Sequence, residues 1–101
     1  MSEAGSEAAL VTNCLRWVNS FGGYAEVFGQ RRAKGAGNSV GAPDMIVYRG
    51  GKVYVVELKR AKGGVLSRGQ ELAIECRRRE GVKTFVITSE QEFVDMLTRV
   101  R

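Results

Sequence analysis

Apolar residues recur at helical spacing from about Ser6 to Ser20, where Leu10, Val11, Cys14, Leu15 and Val18 share one stripe. Gly22-Gly23 ends that helix, and Tyr24–Phe28 follows as a short strand candidate. Residues 29–42 hold four glycines, Asn38, Ser39 and three basic groups without periodicity. A loop of that length in so short a chain is expected to be functional or mobile. Asp44–Tyr48 and Lys52–Lys59 are strand patterns joined by Arg49-Gly50-Gly51, a tight hairpin signal. Residues 60–66 form a second basic loop, and Ser67 to about Glu80 reads as a helix stopped by Gly81. Lys83–Ile87 is a further strand. Ser89-Glu90-Gln91-Glu92 is a capping box that opens a last helix reaching about Val100. The predicted order is αβββαβα, an α/β sandwich with helices packed around one mixed sheet. Its 101 residues are expected to form a single domain, residues 1–101.

Composition adds mainly exclusions. Hydrophobic residues make up 44% and charged residues 27% of the chain, values of a globular rather than a disordered protein. There is no histidine, which removes Ser-His-Asp and Cys-His nucleophile systems and HExxH zinc sites. Hydrolytic chemistry here must use carboxylates and lysine, and an oxygen-ligated metal is expected with them. Cys14 and Cys76 have neither metal-ligand nor disulfide-framework spacing and read as reduced core thiols. No apolar run is long enough for a membrane span, and the acidic start lacks a signal peptide's basic region. A cytoplasmic protein without a membrane partner is therefore expected. The net charge of +5 is concentrated centrally: residues 31–62 carry eight basic groups against two acidic ones. That asymmetry points to a polyanionic partner such as nucleic acid.

The hairpin supplies candidate chemistry. With Gly50-Gly51 as turn residues, Tyr48 faces Val53, Ile46 faces Val55 and Asp44 faces Glu57. Two carboxylates directly across a ladder repel one another, so the pairing needs a reason. Alternation adds Lys59 to the same sheet face as Asp44 and Glu57. A divalent cation would relieve the repulsion, since Mg²⁺ typically binds through one or two carboxylates. The plainer alternative is a strand-start Asp and a surface Glu–Lys pair. Glu7 falls in the middle of the first helix's apolar stripe, where a carboxylate needs a partner, or else it simply favours the helix N-terminus. Glu3 is the rival acid on the same face. Gln70 completes an S-x-x-Q capping box with Ser67, which is sufficient reason for it; the alternative is that it points back toward the acids.

Gly41-Ala42-Pro43-Asp44, then Glu57-Leu58-Lys59 after 12 residues, resembles the signature of the PD-(D/E)XK nuclease superfamily. With Glu7, Arg60 and Leu66-Ser67-x-x-Gln70, the resemblance narrows to the virus-type replication-repair nuclease (VRR-NUC) domain and covers most of the chain. It implies a restriction-endonuclease-like αβββαβ core with a C-terminal helix. It also implies Mg²⁺- or Mn²⁺-dependent hydrolysis of phosphodiester bonds in DNA. Asp44 and Glu57 would be metal ligands, with the Leu58 carbonyl and Glu7 as further ones. Lys59 would orient water and neutralise phosphate charge, and Gln70 would complete the site. Arg31, Arg32, Lys34, Arg60, Lys62 and Arg68 would contact phosphates. Short stand-alone members resemble Holliday-junction resolvases and act as dimers, so a homodimer cutting branched DNA is expected. The alternatives are a flap or single-strand nuclease of the same fold, or a binding module without catalysis.

Overall fold

The computed structural model describes residues 7–28, 42–59 and 64–99. In chain order these form α1 (Glu7–Phe21), β1 (Tyr24–Val27), β2 (Met45–Arg49), β3 (Lys52–Leu58), α2 (Arg68–Arg79), β4 (Lys83–Ile87) and α3 (Glu90–Arg99). The strands lie in the order β1-β2-β3-β4. The first two pairings are antiparallel and β3–β4 is parallel, so the sheet is mixed as expected.

The hairpin turn sets the register. Gly50 and Gly51 both take positive φ, 61° and 79°, as a tight two-residue turn between twisted strands requires. Arg49 then faces Lys52, and the ladder runs through to Met45 opposite Val56. Alternation sends Met45, Val47, Tyr54, Val56 and Leu58 to one face, where all five are buried. That face is covered by α1, through Leu10, Val11, Cys14 and Val18, and by α3, through Phe93, Met96 and Leu97. The opposite face is covered by α2, which packs on β4 and has Ile74 as its buried residue.

Polar side chains fasten the layers. Arg49 donates to the carbonyls of Leu97 (3.4 Å) and Phe21 (3.3 Å), joining the C-terminal turns of α3 and α1. Its guanidinium also lies 5.7 Å from the centre of the Phe21 ring. Glu90 accepts from Asn13 Nδ2 (2.7 Å) and Trp17 Nε1 (3.0 Å), which ties the start of α3 to α1. Gly23 is required by proximity: a Cβ there would sit 2.9 Å from the Tyr48 carbonyl oxygen.

Two expectations need correction. Cys14 is buried in the core, but Cys76 is exposed. α2 rests on the sheet along a narrow stripe, and Cys76 lies off it. The helix after Ser89 is also capped differently. The Ser89 hydroxyl accepts from the Glu92 N–H (3.1 Å) as expected, but the Glu92 carboxylate reaches Thr88, one residue beyond the box, at 2.6 Å from its N–H.

Candidate active site

Three elements position the site. β2 delivers Asp44 just before its first residue, β3 ends on Glu57-Leu58, and the first turn of α2 carries Gln70. The hairpin register leads directly to Asp44: its N–H donates to the Val56 carbonyl (3.2 Å), and its Oδ2 accepts from the Leu58 N–H (2.8 Å). Its carboxylate therefore wraps the end of β3 beside Glu57. Lys59 follows with its N–H on the Ile87 carbonyl (2.9 Å), which extends the parallel ladder by one bond.

Glu57 is 0% exposed, an extreme position for a carboxylate. Its Oε1 accepts from Gln70 Nε2 (3.2 Å), and Arg77 Nη1 lies 4.0 Å from its Oε2. No hydrogen-bond partner meets Oε2 among the described residues. Burial, then the adjacent Asp44 carboxylate, pushes the Glu57 carboxyl up from 4.5 to about 7, against the opposing pull of Arg77 and Lys59. The predicted clash of two acids is thus present and only partly compensated.

Gln70 both caps α2 and points back to Glu57. Its backbone N–H donates to Ser67 Oγ (3.1 Å) and its Oε1 accepts from the Ser67 N–H (2.8 Å), a complete capping box. The amide nitrogen left over is the group that meets Glu57. One residue of the constellation escapes the motif: Arg77. Its signal was the spacing of Gln70, Ile74 and Arg77, at i, i+4 and i+7, which puts all three on the sheet-facing stripe of α2.

Arg68 is exposed and pairs with Glu71 at 3.5 Å on its own helix. Glu7 is the first residue of α1, but its side chain lies outside the described residues, as do Glu3, Arg31, Arg32, Lys34, Arg60 and Lys62. Among the described residues no group of three or more His, Cys, Asp or Glu side chains is placed to hold a metal ion. The described donor set is the Asp44–Glu57 pair.

The raised Glu57 carboxyl has a consequence for stability. Its folded value of about 7 lies above the ordinary 4.5, so the folded chain retains a proton that the unfolded chain has released. Metal-free protein should therefore lose stability as pH rises from about 4.5 to 7, by on the order of 3 kcal/mol, and level off above that. Glu57→Gln cannot ionise and should lose this component, melting at least as high as wild type at pH 8. Thermal melts of both proteins across that range check it; parallel profiles would mean that Glu57 titrates as an ordinary carboxylate.

No protein-family model matches the chain. No curated protein matches it either. A solved structure described as a "VRR_NUC domain" superposes with a TM-score of 0.76 and 22% identity, over 94% of this chain and 97% of that one. The chain therefore has the fold of a VRR_NUC domain, with three helices and a four-stranded mixed sheet among the described residues. Among the described residues no helix is long and apolar enough to cross a membrane.

Proposed function

We propose that this chain is a PD-(D/E)XK-type nuclease that hydrolyses phosphodiester bonds in branched DNA with the help of a divalent cation. The observation that carries this reading is the Asp44–Glu57 pair at the end of the β2–β3 ladder, with Lys59 two residues on, in a fold shared with a VRR_NUC domain.

The donor chemistry fits a hard cation. Two carboxylates stand side by side, one of them has a buried oxygen without a hydrogen bond among the described residues, and the proximity of both raises the cost of ionising Glu57. Oxygen ligands of this kind suit Mg²⁺ or Mn²⁺. Asp44 and Glu57 would hold it, with the Leu58 carbonyl and Glu7 as the further ligands proposed from the sequence motif. When bound, such a cation supplies Lewis acidity toward a water and a phosphoryl oxygen.

The chain's own residues do the rest. Gln70 holds one Glu57 oxygen, and Arg77, 4.0 Å from the other, offsets part of the buried charge. Lys59 contributes a positive charge close enough to favour the Glu57 carboxylate, and the same ammonium would stabilise charge developing on the phosphate. Arg31, Arg32, Lys34, Arg60, Lys62 and Arg68 would track the DNA backbone, a role that positions substrate without reading sequence. A homodimer would bring two such sites to a four-way junction.

A second reading has its own observation. Arg77 and Gln70 give Glu57 partners within the chain, which is what a purely structural acid in a binding module would need. One assay separates the readings. Four-way junction, flap and duplex DNA are incubated with the protein, with Mg²⁺ and with chelator. Metal-dependent cleavage strongest on the junction is the expected result. Binding without cleavage in any metal would leave the binding module, and a preference for flaps would replace the junction as substrate.

A further inference from the structure

β1 lies at the opposite end of the sheet from β4, the strand on which α2 packs. Alternation turns Ala25 and Val27 of β1 into the core, which leaves Tyr24 and Glu26 on the face that carries Tyr48 and Val53. The register aligns three of these side chains. Tyr24 faces Tyr48 and Tyr48 faces Val53, a row across three strands at the hairpin end of the sheet. Both ends of the row are open to solvent, Tyr24 by 62% and Val53 by 46%. The Tyr24 and Tyr48 rings stack with their centres 5.7 Å apart. The Tyr48 hydroxyl donates to Glu26 Oε1 (2.6 Å), which holds its ring in place behind Tyr24. An open groove of about 430 Å³ runs along the row, with Gly51 and Lys52 on its rim.

This row shares its face of the sheet with the acid pair. The Phe28 N–H donates to the Asp44 carbonyl (2.9 Å), which continues the β1–β2 ladder by one bond, and Phe28 is itself exposed. By alternation Tyr24, Glu26 and Phe28 lie on one side, so aromatic rings stand at both ends of the path from the tyrosine row to Asp44. Tyr48 and Asp44 are four residues apart on one extended segment, about 14 Å. Stacked nucleotides advance by about 3.4 Å each along a strand. A DNA strand with a phosphate at Asp44 and Glu57 therefore brings a base over the tyrosine row about four steps away.

We propose that Tyr24, backed by Tyr48, is a stacking platform for an unpaired nucleobase of the DNA strand that enters the Asp44–Glu57 site. An exposed aromatic face returns to a base the stacking it lost on leaving the duplex, and it does so whichever base is present. The charges on this face select bases over phosphates. Glu26 stands between the tyrosine row and Asp44, so a phosphate chain laid along β1 would be repelled there. A base edge instead brings N–H donors that a carboxylate can accept. Arg49 does not offset Glu26, because its guanidinium is committed to the carbonyls of Leu97 and Phe21 across the sheet. Lys52 places a positive charge on the rim, where the backbone of a stacked nucleotide passes. A second copy of the chain fits this face poorly: a two-fold contact centred on β1 would set Glu26 against Glu26. The inference deepens the reading proposed above, from which it takes DNA as the ligand, and it requires no cleavage.

The test is fluorescence anisotropy on the full chain in chelator, with two labelled single strands of equal length, one bearing bases and one abasic throughout. Both carry the same phosphates, so the ratio of their affinities isolates stacking. Wild type should prefer the base-bearing strand by about tenfold or more. Tyr24→Ala should bring the two strands close to parity while leaving the affinity for the abasic strand unchanged, and Tyr24→Trp should keep the preference. A second measurement needs no variant. A single 2-aminopurine flanked by abasic sites has no neighbour to stack on when free, so its fluorescence should fall when wild type binds. Equal affinity of wild type for both strands, an undimmed 2-aminopurine, or a preference that survives Tyr24→Ala would each overturn the proposal. So would a dimer in sedimentation velocity that Tyr24→Ala breaks, which would assign the face to a second copy. Because metal is absent, these outcomes leave the cleavage assay untouched, and a protein that cuts nothing could still show the preference.

Discussion

Asp44→Asn and Glu57→Gln should each lower Mg²⁺-dependent DNA cleavage by on the order of 10³ or more, while DNA binding persists. Each change removes one of the two carboxylate charges that would hold the cation, and a cation's electrostatic contribution at a scissile phosphate is worth several kcal/mol. Neither change disrupts the ladder. An asparagine oxygen at position 44 can still accept from the Leu58 N–H, and a glutamine oxygen at position 57 can still accept from Gln70. The basic groups proposed for phosphate contact are untouched, so a gel-shift assay should show a stable, uncut complex. Cleavage by either variant within a few-fold of wild type at saturating Mg²⁺ would remove the metal-site assignment.

Lys59→Ala should cost about 10²–10³ in cleavage rate while leaving cation binding in place, because a protonated amine acts on charge and is no ligand. The fold should survive, since the contact of Lys59 with β4 runs through its backbone N–H. Two readouts are needed. Single-turnover cleavage measures the catalytic loss, and a Mg²⁺-induced rise in melting temperature measures cation binding. A variant that cuts normally would make Lys59 a surface partner of Glu57. A variant that no longer gains stability from Mg²⁺ would make it a structural support of the ligands.

The element order, the hairpin and the acid pair were all legible without coordinates, because each rests on short-range rules. Gly50-Gly51 demands a tight turn with positive φ, and the turn then dictates every pairing from Arg49–Lys52 to Met45–Val56. Asp44 and Glu57 follow by counting outward from it. Ser67 and Gln70 cap α2 through bonds that span three residues. Such features depend on neighbours in the chain or on one hairpin, and a periodic pattern contains them.

Tertiary packing decided what those residues became. Glu57 is wholly buried because α2 closes over that face of the sheet, and nothing within the hairpin determines where α2 lies. The same placement turns Gln70's spare amide onto Glu57, brings Arg77 to it from two turns further along the helix, and leaves Cys76 in solvent. The reach of Glu92 past Ser89 to Thr88 is likewise settled by how β4 delivers the chain into α3. The sequence by itself therefore determined which charges meet across the ladder. Burial depends on which helix face covers which strands, so the raised carboxyl and its compensating partners arose only in the assembled layers.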